Sequence, residues 1–174
     1  DGQTFRMNEF NNDGAVLTLA SDISWPAITR IAPDPPPGSN VRVVGWGHDG
    51  SGSVSDVPRW LDMDTTTTQQ CFEAYLPAYV AITSESHVCA GGVRGYSACN
   101  GDSGGPLLLS QPRPTGAGEQ ARPAYDQWTL LGLVSFSLSP SPDCGAQYDE
   151  PTVYARGRGM RDYLCEQAAD APMC

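Results

Sequence analysis

The sequence predicts an all-β protein with one helix at its C-terminal end. Short apolar runs are separated by Ser, Thr, Gly and Pro, and the 174 residues include 19 glycines and 15 prolines. This pattern is typical of short strands joined by turns. Only 17% of the residues are charged. A chain of this length can form one large or two small domains with a sizeable core.

The N-terminal part of the chain predicts one strand and then a connector. Residues 14–20 (GAVLTLA) alternate loosely between apolar and small residues, which favours a strand. Four prolines within 33–37 lack backbone donors, so they predict an extended connector and the main domain boundary. Residues 41–47 (VRVVGWG) are rich in β-branched side chains and predict a strand that ends in a glycine turn.

The rest of the chain predicts four further strands and the helix. The strand segments are VPRWLDMDT, GPLLLS, WTLLGLVSFS and PTVYAR. Residues 111–127 are polar and proline-rich, which predicts a long exposed loop. Residues 159–171 contain good helix formers, and their apolar members are spaced for one helix face: Met160, Tyr163, Leu164 and Ala168.

Charge and cysteine content limit the classes of partner. Ten basic and twenty acidic residues give a formal charge of −10, which disfavours nucleic acid and anionic membranes. No run of 18 apolar residues occurs, so no segment is expected to span a membrane, and neither nucleic acid nor membrane is expected as a partner. The six cysteines form no Cys-x-x-Cys pair and no cluster with zinc spacing, which favours disulfides over metal. The expectation is a secreted, extracellular protein without metal or organic cofactor.

The segment CNGDSGGP, residues 99–106, contains a serine bracketed by glycines. Ser103 is either a nucleophile or part of a tight turn. A serine hydroxyl needs a neighbouring base, and the oxyanion that develops needs hydrogen-bond donors. Glycines permit a turn that points successive N–H groups into one small space, so the segment suits nucleophilic catalysis.

The longer segment ACNGDSGGPLL resembles the nucleophile segment of the chymotrypsin/trypsin-like serine proteases. Five further segments resemble the same family and occur in family order: NNDGAVLTL, VVGWG, HVCAGG, GLVSFS and PTVYARGRGMRDYL. The resemblance implies a trypsin-like double β-barrel. Residues 1–25 would end the first barrel, 26–40 would connect the barrels, and 41–174 would form the second barrel with a C-terminal helix.

The resemblance also implies roles for individual residues. Ser103 matches the nucleophile, and Asp13 matches the aspartate that orients a histidine. The backbone N–H groups of Gly101 and Ser103 match the oxyanion hole. Ser135 matches a serine that hydrogen-bonds the triad aspartate. Asp102 matches the carboxylate that pairs with a new N-terminal ammonium during zymogen activation. Without the family, Asp13 would be an ordinary turn residue in NNDG.

The residues that match the specificity pocket resemble those of elastase-like enzymes. Ser97 lies where an aspartate would select Lys or Arg, so trypsin-like specificity is not expected. Ser137 and Thr152 replace wall glycines, which would narrow the pocket and favour small residues before the scissile bond. Phe136 replaces the usual tryptophan and keeps an apolar platform. Gly14, where the family favours isoleucine, would loosen the strand after the aspartate.

Neither histidine matches the family's catalytic histidine. His48 and His87 both follow Asp13, whereas the family order is His, Asp, Ser. Neither lies in an Ala-Ala-His-Cys segment, so both are expected to be ordinary solvated or hydrogen-bonded residues. We therefore expect the histidine on a second chain from the same precursor, which supplies the missing strands of the first barrel.

The family pattern also implies the disulfide pairing. It pairs four of the cysteines as Cys71 with Cys89 and Cys99 with Cys144, which leaves Cys165 and Cys174 to pair locally. No thiol then remains for a second chain, so the two chains are expected to associate noncovalently.

Two functions from different classes remain open at this point. The first is an active two-chain serine endopeptidase that cleaves after small or aliphatic residues. The second is a noncatalytic protease homologue that acts as a binding, inhibitory or regulatory protein. The set of Asp13, Ser103, Gly101 and Asp102 favours the enzyme, and the missing histidine segment favours the homologue.

Overall fold

The computed structural model of the chain describes residues 11–21, 24, 30–110, 128–138 and 149–167. Six strands form one antiparallel sheet, and two short α-helices and a 3₁₀ turn accompany it. The strands are β1 (Asn40–Gly45), β2 (Arg59–Asp64), β3 (His87–Gly91), β4 (Pro106–Ser110), β5 (Trp128–Phe136) and β6 (Pro151–Arg156). The helices are α1 (Thr68–Tyr75) and α2 (Arg161–Gln167), with the 3₁₀ turn at Leu76–Ala78. The predicted all-β class is confirmed.

The sheet closes on itself into a barrel. The strand order is β2–β1–β4–β5–β6–β3, so β2 and β3 are the outer strands. Thr65 follows β2 directly and pairs with Ala90 in β3, and the Thr66 N–H donates to the Cys89 carbonyl at 3.0 Å. Closure pairs backbone groups that an open sheet would leave at its edges. The enclosed core contains, among others, Val41, Leu107, Leu131 and Tyr154.

The five strands predicted from residue 41 onward are present as β1, β2, β4, β5 and β6. The strand predicted at 14–20 is wrong for the described structure, because residues 13–19 have no regular secondary structure. A strand needs a neighbour to take its backbone hydrogen bonds, and no described segment pairs with this one. Its apolar side chains are accordingly exposed, with Leu17 at 85% and Leu19 at 57%.

The prediction of a single helix is also wrong, because α1 precedes the C-terminal helix α2. Thr67 caps α1, since its hydroxyl accepts from the Gln70 N–H at 3.0 Å and Gln70 Oε1 accepts from the Thr67 N–H at 3.1 Å. This capping box satisfies two donors at the start of the helix. The Thr-x-x-Gln spacing in TTTTQQCF is the sequence signal that would have found the helix. Predicted helical residues after 167 lie outside the described part.

A disulfide and a buried hydroxyl attach α1 to the barrel. Cys71 of α1 and Cys89 of β3 form a disulfide, which is the pairing implied by the resemblance. The Tyr75 hydroxyl donates to the Pro151 carbonyl at 2.7 Å, and the ring is fully buried. Burial raises the pKa of Tyr75 well above its ordinary value, so the hydroxyl keeps its proton and remains a donor.

The other two disulfide predictions fall partly outside the described residues. Cys99 and Cys165 are both disulfide-bonded. Their predicted partners, Cys144 and Cys174, lie outside the described part of the chain. The noncovalent association predicted from complete internal pairing therefore stays a prediction.

The connector lies along β5. The Leu130 N–H donates to the Arg30 carbonyl at 3.0 Å, and the Ala32 N–H donates to the Leu130 carbonyl at 2.7 Å, so residues 30–32 add a short parallel pairing to the barrel. Further along, Asp34 forms ion pairs with Arg156 and Arg158. Proline has no backbone N–H, so the proline-rich part of the connector leaves few donors that need a hydrogen-bond partner. The domain limits at 25 and 40 stay a prediction.

Candidate active site

Ser103 lies exposed in a tight turn just before β4. Gly101 and Gly104 have φ of +98° and +76°, a region that side chains with a Cβ rarely adopt. A Cβ at Gly105 would lie 2.7 Å from the carbonyl oxygens of Asp102 and Val44. The glycines around the serine are therefore required by the backbone path. Within the described residues, the Ser103 hydroxyl has no hydrogen-bond partner.

The turn is attached to β5 by two backbone hydrogen bonds. The Gly104 N–H donates to the Val134 carbonyl and the Val134 N–H donates to the Gly105 carbonyl, both at 2.8 Å. The residue after the candidate nucleophile is thus held near the C-terminal end of a strand that has neighbours on both sides. The position of Ser103 consequently depends on β5.

Ser135, the next residue of β5, is the extra residue of a β-bulge. Val134 pairs with Tyr154 and Phe136 pairs with Val153, so two steps on β5 oppose one step on β6. A bulge bends a strand and re-aims a side chain. The Ser135 hydroxyl donates to Asp13 Oδ2 at 2.5 Å. Adjacent residues of β5 therefore hold the turn that carries Ser103 and the carboxylate of Asp13.

A sharp turn sets the backbone around Asp13. Asn12 has φ of +58°, and the Gly14 N–H donates to the Asn12 carbonyl at 2.8 Å. A Cβ at Gly14 would overlap the sulfur of Met160. The glycine in the place where the family favours isoleucine therefore makes room for Met160 beside the site. The predicted loosening of a strand does not arise, because no strand forms there.

Asp102 points its carboxylate toward the turn after β1. Its Oδ1 accepts from the Gly47 N–H at 2.8 Å and its Oδ2 accepts from the Cys99 N–H at 2.9 Å. A Cβ at Gly45 or Gly47 would overlap this carboxylate. This role of the two glycines was not predicted from the sequence, although the Gly-Trp-Gly spacing was the available signal. The pairing of Asp102 with a terminal ammonium stays a prediction.

The predicted oxyanion-hole donors lie at the same turn. Neither the Gly101 N–H nor the Ser103 N–H donates a hydrogen bond within the described residues. Gly101 lies against Gly47, since a Cβ added to Gly101 would lie 3.0 Å from the Gly47 Cα. The two N–H groups are therefore available to an external acceptor.

The predicted pocket residues lie on three segments: β6, the end of β5 and the loop that precedes Cys99. Thr152 of β6 is 2% exposed and pairs with Ala90 of β3. The Ser97 hydroxyl oxygen is buried without a hydrogen-bond partner in the described residues. Ser137 is half-buried just after β5. Phe136 packs its ring edge-on to two buried side chains, with centroids 5.6 Å from Tyr75 and 6.1 Å from His87.

Neither histidine hydrogen-bonds Asp13 or Ser103 in the described structure. His87 is 1% exposed in β3, and its Nδ1 accepts from the Thr83 N–H at 3.1 Å. A nitrogen that accepts this bond carries no proton. The hydrogen bond and the burial together fix the His87 ring within the barrel wall. The His48 N–H donates to the Asn100 carbonyl at 3.0 Å. Its Nδ1 is buried without a hydrogen-bond partner among the described residues.

The barrel, the serine turn and the Ser135–Asp13 pair together are the features of a serine protease domain. The family model described as Trypsin matches residues 3–162. The chain therefore belongs to the trypsin-like serine protease family. In the described residues no group of His, Cys, Asp and Glu could hold a metal ion, and no helix is long and apolar enough to cross a membrane.

Several proteases are similar to this chain. Phenoloxidase-activating factor 1 of Holotrichia diomphalia and Melanization protease 1 of Drosophila melanogaster are each 34% identical over 127 residues, which is 73% of this chain. Transmembrane protease serine 11G of Mus musculus is 28% identical over 93% of this chain. The chain spans 30%, 28% and 36% of the lengths of these three relatives.

Proposed function

We propose that this chain is the larger part of a secreted serine endopeptidase that works through an acyl-enzyme. The observation that carries the proposal is the 2.5 Å hydrogen bond from Ser135 to Asp13, next to the backbone bonds that hold the Ser103 turn on β5. A binding module has no physical need for this arrangement. Membership of the trypsin-like family and the names of the similar proteases support it.

The proposed reaction uses Ser103 as the nucleophile. Its oxygen attacks the carbonyl carbon of the peptide bond, and its proton passes to a histidine. The N–H groups of Gly101 and Ser103 donate to the oxyanion that forms. The C–N bond then breaks as the histidine protonates the leaving amine, and water hydrolyses the serine ester. Asp13 orients the histidine and stabilises its positive form.

We propose that the histidine comes from a segment other than these 174 residues, on a second, noncovalently associated chain. His87 is committed to the barrel wall, and neither it nor His48 hydrogen-bonds Asp13. The exposed Leu17 and Leu19 follow Asp13 closely and present apolar surface that such a segment would cover.

The pocket residues support a preference for small or aliphatic residues before the scissile bond. Ser97 supplies no charge to pair with a buried Lys or Arg, so a cationic side chain would be costly to bind. The buried Thr152 occupies volume that a large aromatic side chain would need. Secretion is proposed because all four described cysteines are disulfide-bonded, which is typical of proteins in oxidising compartments.

Replacing Thr152 by glycine is expected to widen the pocket. The ratio of kcat/KM for substrates with Phe to those with Ala before the scissile bond should rise by about tenfold or more. Paired peptide substrates measure this ratio. Thr129→Gly is the matched control, because it removes another buried threonine from a strand, in β5. If both variants shift the ratio equally, Thr152 does not line the pocket.

The base and the second chain are tested together on the native protein. Native mass spectrometry after treatment with a fluorophosphonate should detect a second chain and one adduct, located on Ser103. A second chain without an adduct would refute the enzyme and favour the noncatalytic homologue. An adduct on a protein that contains only this chain would refute the proposal that the histidine comes from another segment.

The noncatalytic homologue is the second candidate, because no histidine of the described residues contacts Asp13 or Ser103. In that case the same barrel would act through its surface, as a binding, inhibitory or regulatory protein. Absence of peptidase activity together with saturable binding of a protein partner would favour it.

A further inference from the structure

A basic cavity lies on the side of the barrel where the connector meets the chain after β6. Its volume is about 360 Å³, and its lining residues are Arg30, Ile31, Ala32, Pro33, Arg158 and Arg161. The lining therefore combines three arginines with three apolar residues. Nothing in the proposed catalytic chemistry uses these residues.

The charge of this cavity is opposite to that of the chain as a whole. The chain carries a net −10, and all ten of its basic residues are arginines. Arg156 lies beside the cavity and is paired with Asp34. Arg158 shares that carboxylate only at 3.5 Å. Among the described residues, Arg30 and Arg161 form no ion pair. Positive charge is therefore concentrated and incompletely neutralised here.

The backbone that carries the arginines is closely packed. The Gly157 N–H donates to the Leu131 carbonyl at 2.9 Å, and a Cβ at Gly157 would lie 3.2 Å from Ile31 Cγ2. A Cβ at Gly159 would overlap the Glu85 carbonyl oxygen. The glycines on both sides of Arg158 thus let its backbone pack against the barrel and under the connector. A cavity built on such fixed backbone is largely preformed, which lowers the entropic cost of binding.

Size and chemistry together restrict the ligand. At about 30 Å³ per water molecule, the cavity holds about a dozen waters, so it is larger than one bare ion needs. Guanidinium forks match the oxygens of sulfate and phosphate groups. Ile31 and Pro33 also line the cavity and offer apolar contact to the organic body that carries such a group.

We propose that this cavity binds a sulfate or phosphate ester group carried on a sugar. Arg30, Arg158 and Arg161 would hold the oxyanion, while the connector residues contact the ring. The chain as a whole is acidic, so an anionic ligand would meet less repulsion at this side of the barrel than at its acidic surfaces. This site is independent of the serine turn, and its test needs no catalytic activity.

Isothermal titration calorimetry on the full chain tests the proposal with four probes. The probes are a sulfated disaccharide, a monophosphorylated sugar, the unsulfated disaccharide and a sugar that carries only carboxylates. Binding of either ester, with weak or no binding of the last two, supports the proposal and identifies which ester is the ligand. Equal binding of the carboxylate sugar, or binding of neither ester, would overturn it.

Arginine variants locate the binding. Arg158→Gln and Arg161→Gln should each weaken ester binding by about tenfold, since each removes a charge-assisted hydrogen bond. Arg94→Gln is the matched control, because its side chain is 64% exposed, close to the 66% of Arg158, and it pairs with Asp149 away from the cavity. Both cavity side chains lie on the surface, so the variants should fold. Equal losses in all three variants would mean diffuse charge attraction and would refute the site.

Discussion

Replacing Ser103 by alanine is expected to abolish peptide hydrolysis by the native protein, with kcat reduced by about 10⁶. The reason is that no other described hydroxyl lies at the turn held by Val134 with free N–H donors beside it. The free energy of unfolding should change little, because Ser103 is exposed and its hydroxyl makes no hydrogen bond in the described structure. Peptide hydrolysis and fluorophosphonate labelling measure the loss, and urea titration measures the stability.

Ser84→Ala provides the control for the nucleophile. Ser84 is exposed, and its hydroxyl contacts only the neighbouring Glu85, at 3.1 Å. This variant should keep full activity and labelling. If Ser103→Ala retains hydrolysis above a few per cent of the parent, Ser103 is not the nucleophile and the acyl-enzyme mechanism is wrong.

Replacing Asp13 by asparagine is expected to reduce kcat by about 10⁴, the size of the effect of this exchange in a serine protease triad. Asparagine has a similar shape, yet it supplies no negative charge to a histidine and favours the wrong tautomer. The side-chain oxygen can still accept from Ser135, so the local backbone should be retained. The measurement is kcat with a good peptide substrate, together with the rate of fluorophosphonate labelling.

The control for Asp13 is Asp56→Asn, which makes the same chemical change at an exposed turn residue. It should leave both rates within a factor of about two, as expected for a surface change without contacts. Should Asp13→Asn and Asp56→Asn behave alike, the carboxylate held by Ser135 has a structural role only, and the noncatalytic homologue becomes the better explanation.

Five of the six barrel strands could be predicted because each has a clear apolar or β-branched run between turn residues, whereas β3 (His87–Gly91) was not predicted as a strand. The segment 14–20 has a similar pattern, yet the pattern carries no information on whether a neighbouring strand is available. Helix α1 was missed because its apolar content is low, although its start is marked by the Thr67–Gln70 capping box. Local sequence patterns were therefore reliable for strands that pair with other strands of the barrel, and not for a segment without such a neighbour.

The candidate site was predicted from motif resemblance rather than from geometry. Resemblance named Asp13 and Ser135, which the structure joins by a hydrogen bond. It did not explain Gly45 and Gly47. Their role is to leave room for the carboxylate of Asp102, which lies 55 residues after Gly47 in the chain. Nor could it find the arginine cavity, because Arg30 and Arg158 come together only through the packing of the connector on β5. The catalytic roles themselves stay predictions.

The bulge at Ser135 makes the length of β5 a determinant of function. Deletion of Ser135 would restore regular pairing with β6, because Val134 and Phe136 already pair with consecutive residues of that strand. The Ser135 hydroxyl that donates to Asp13 would be lost with the deleted residue. The strand would then pair regularly, but the carboxylate of Asp13 would no longer be held by a hydroxyl of β5. Between homologous sequences, gaps in this strand are therefore more informative about activity than most substitutions are.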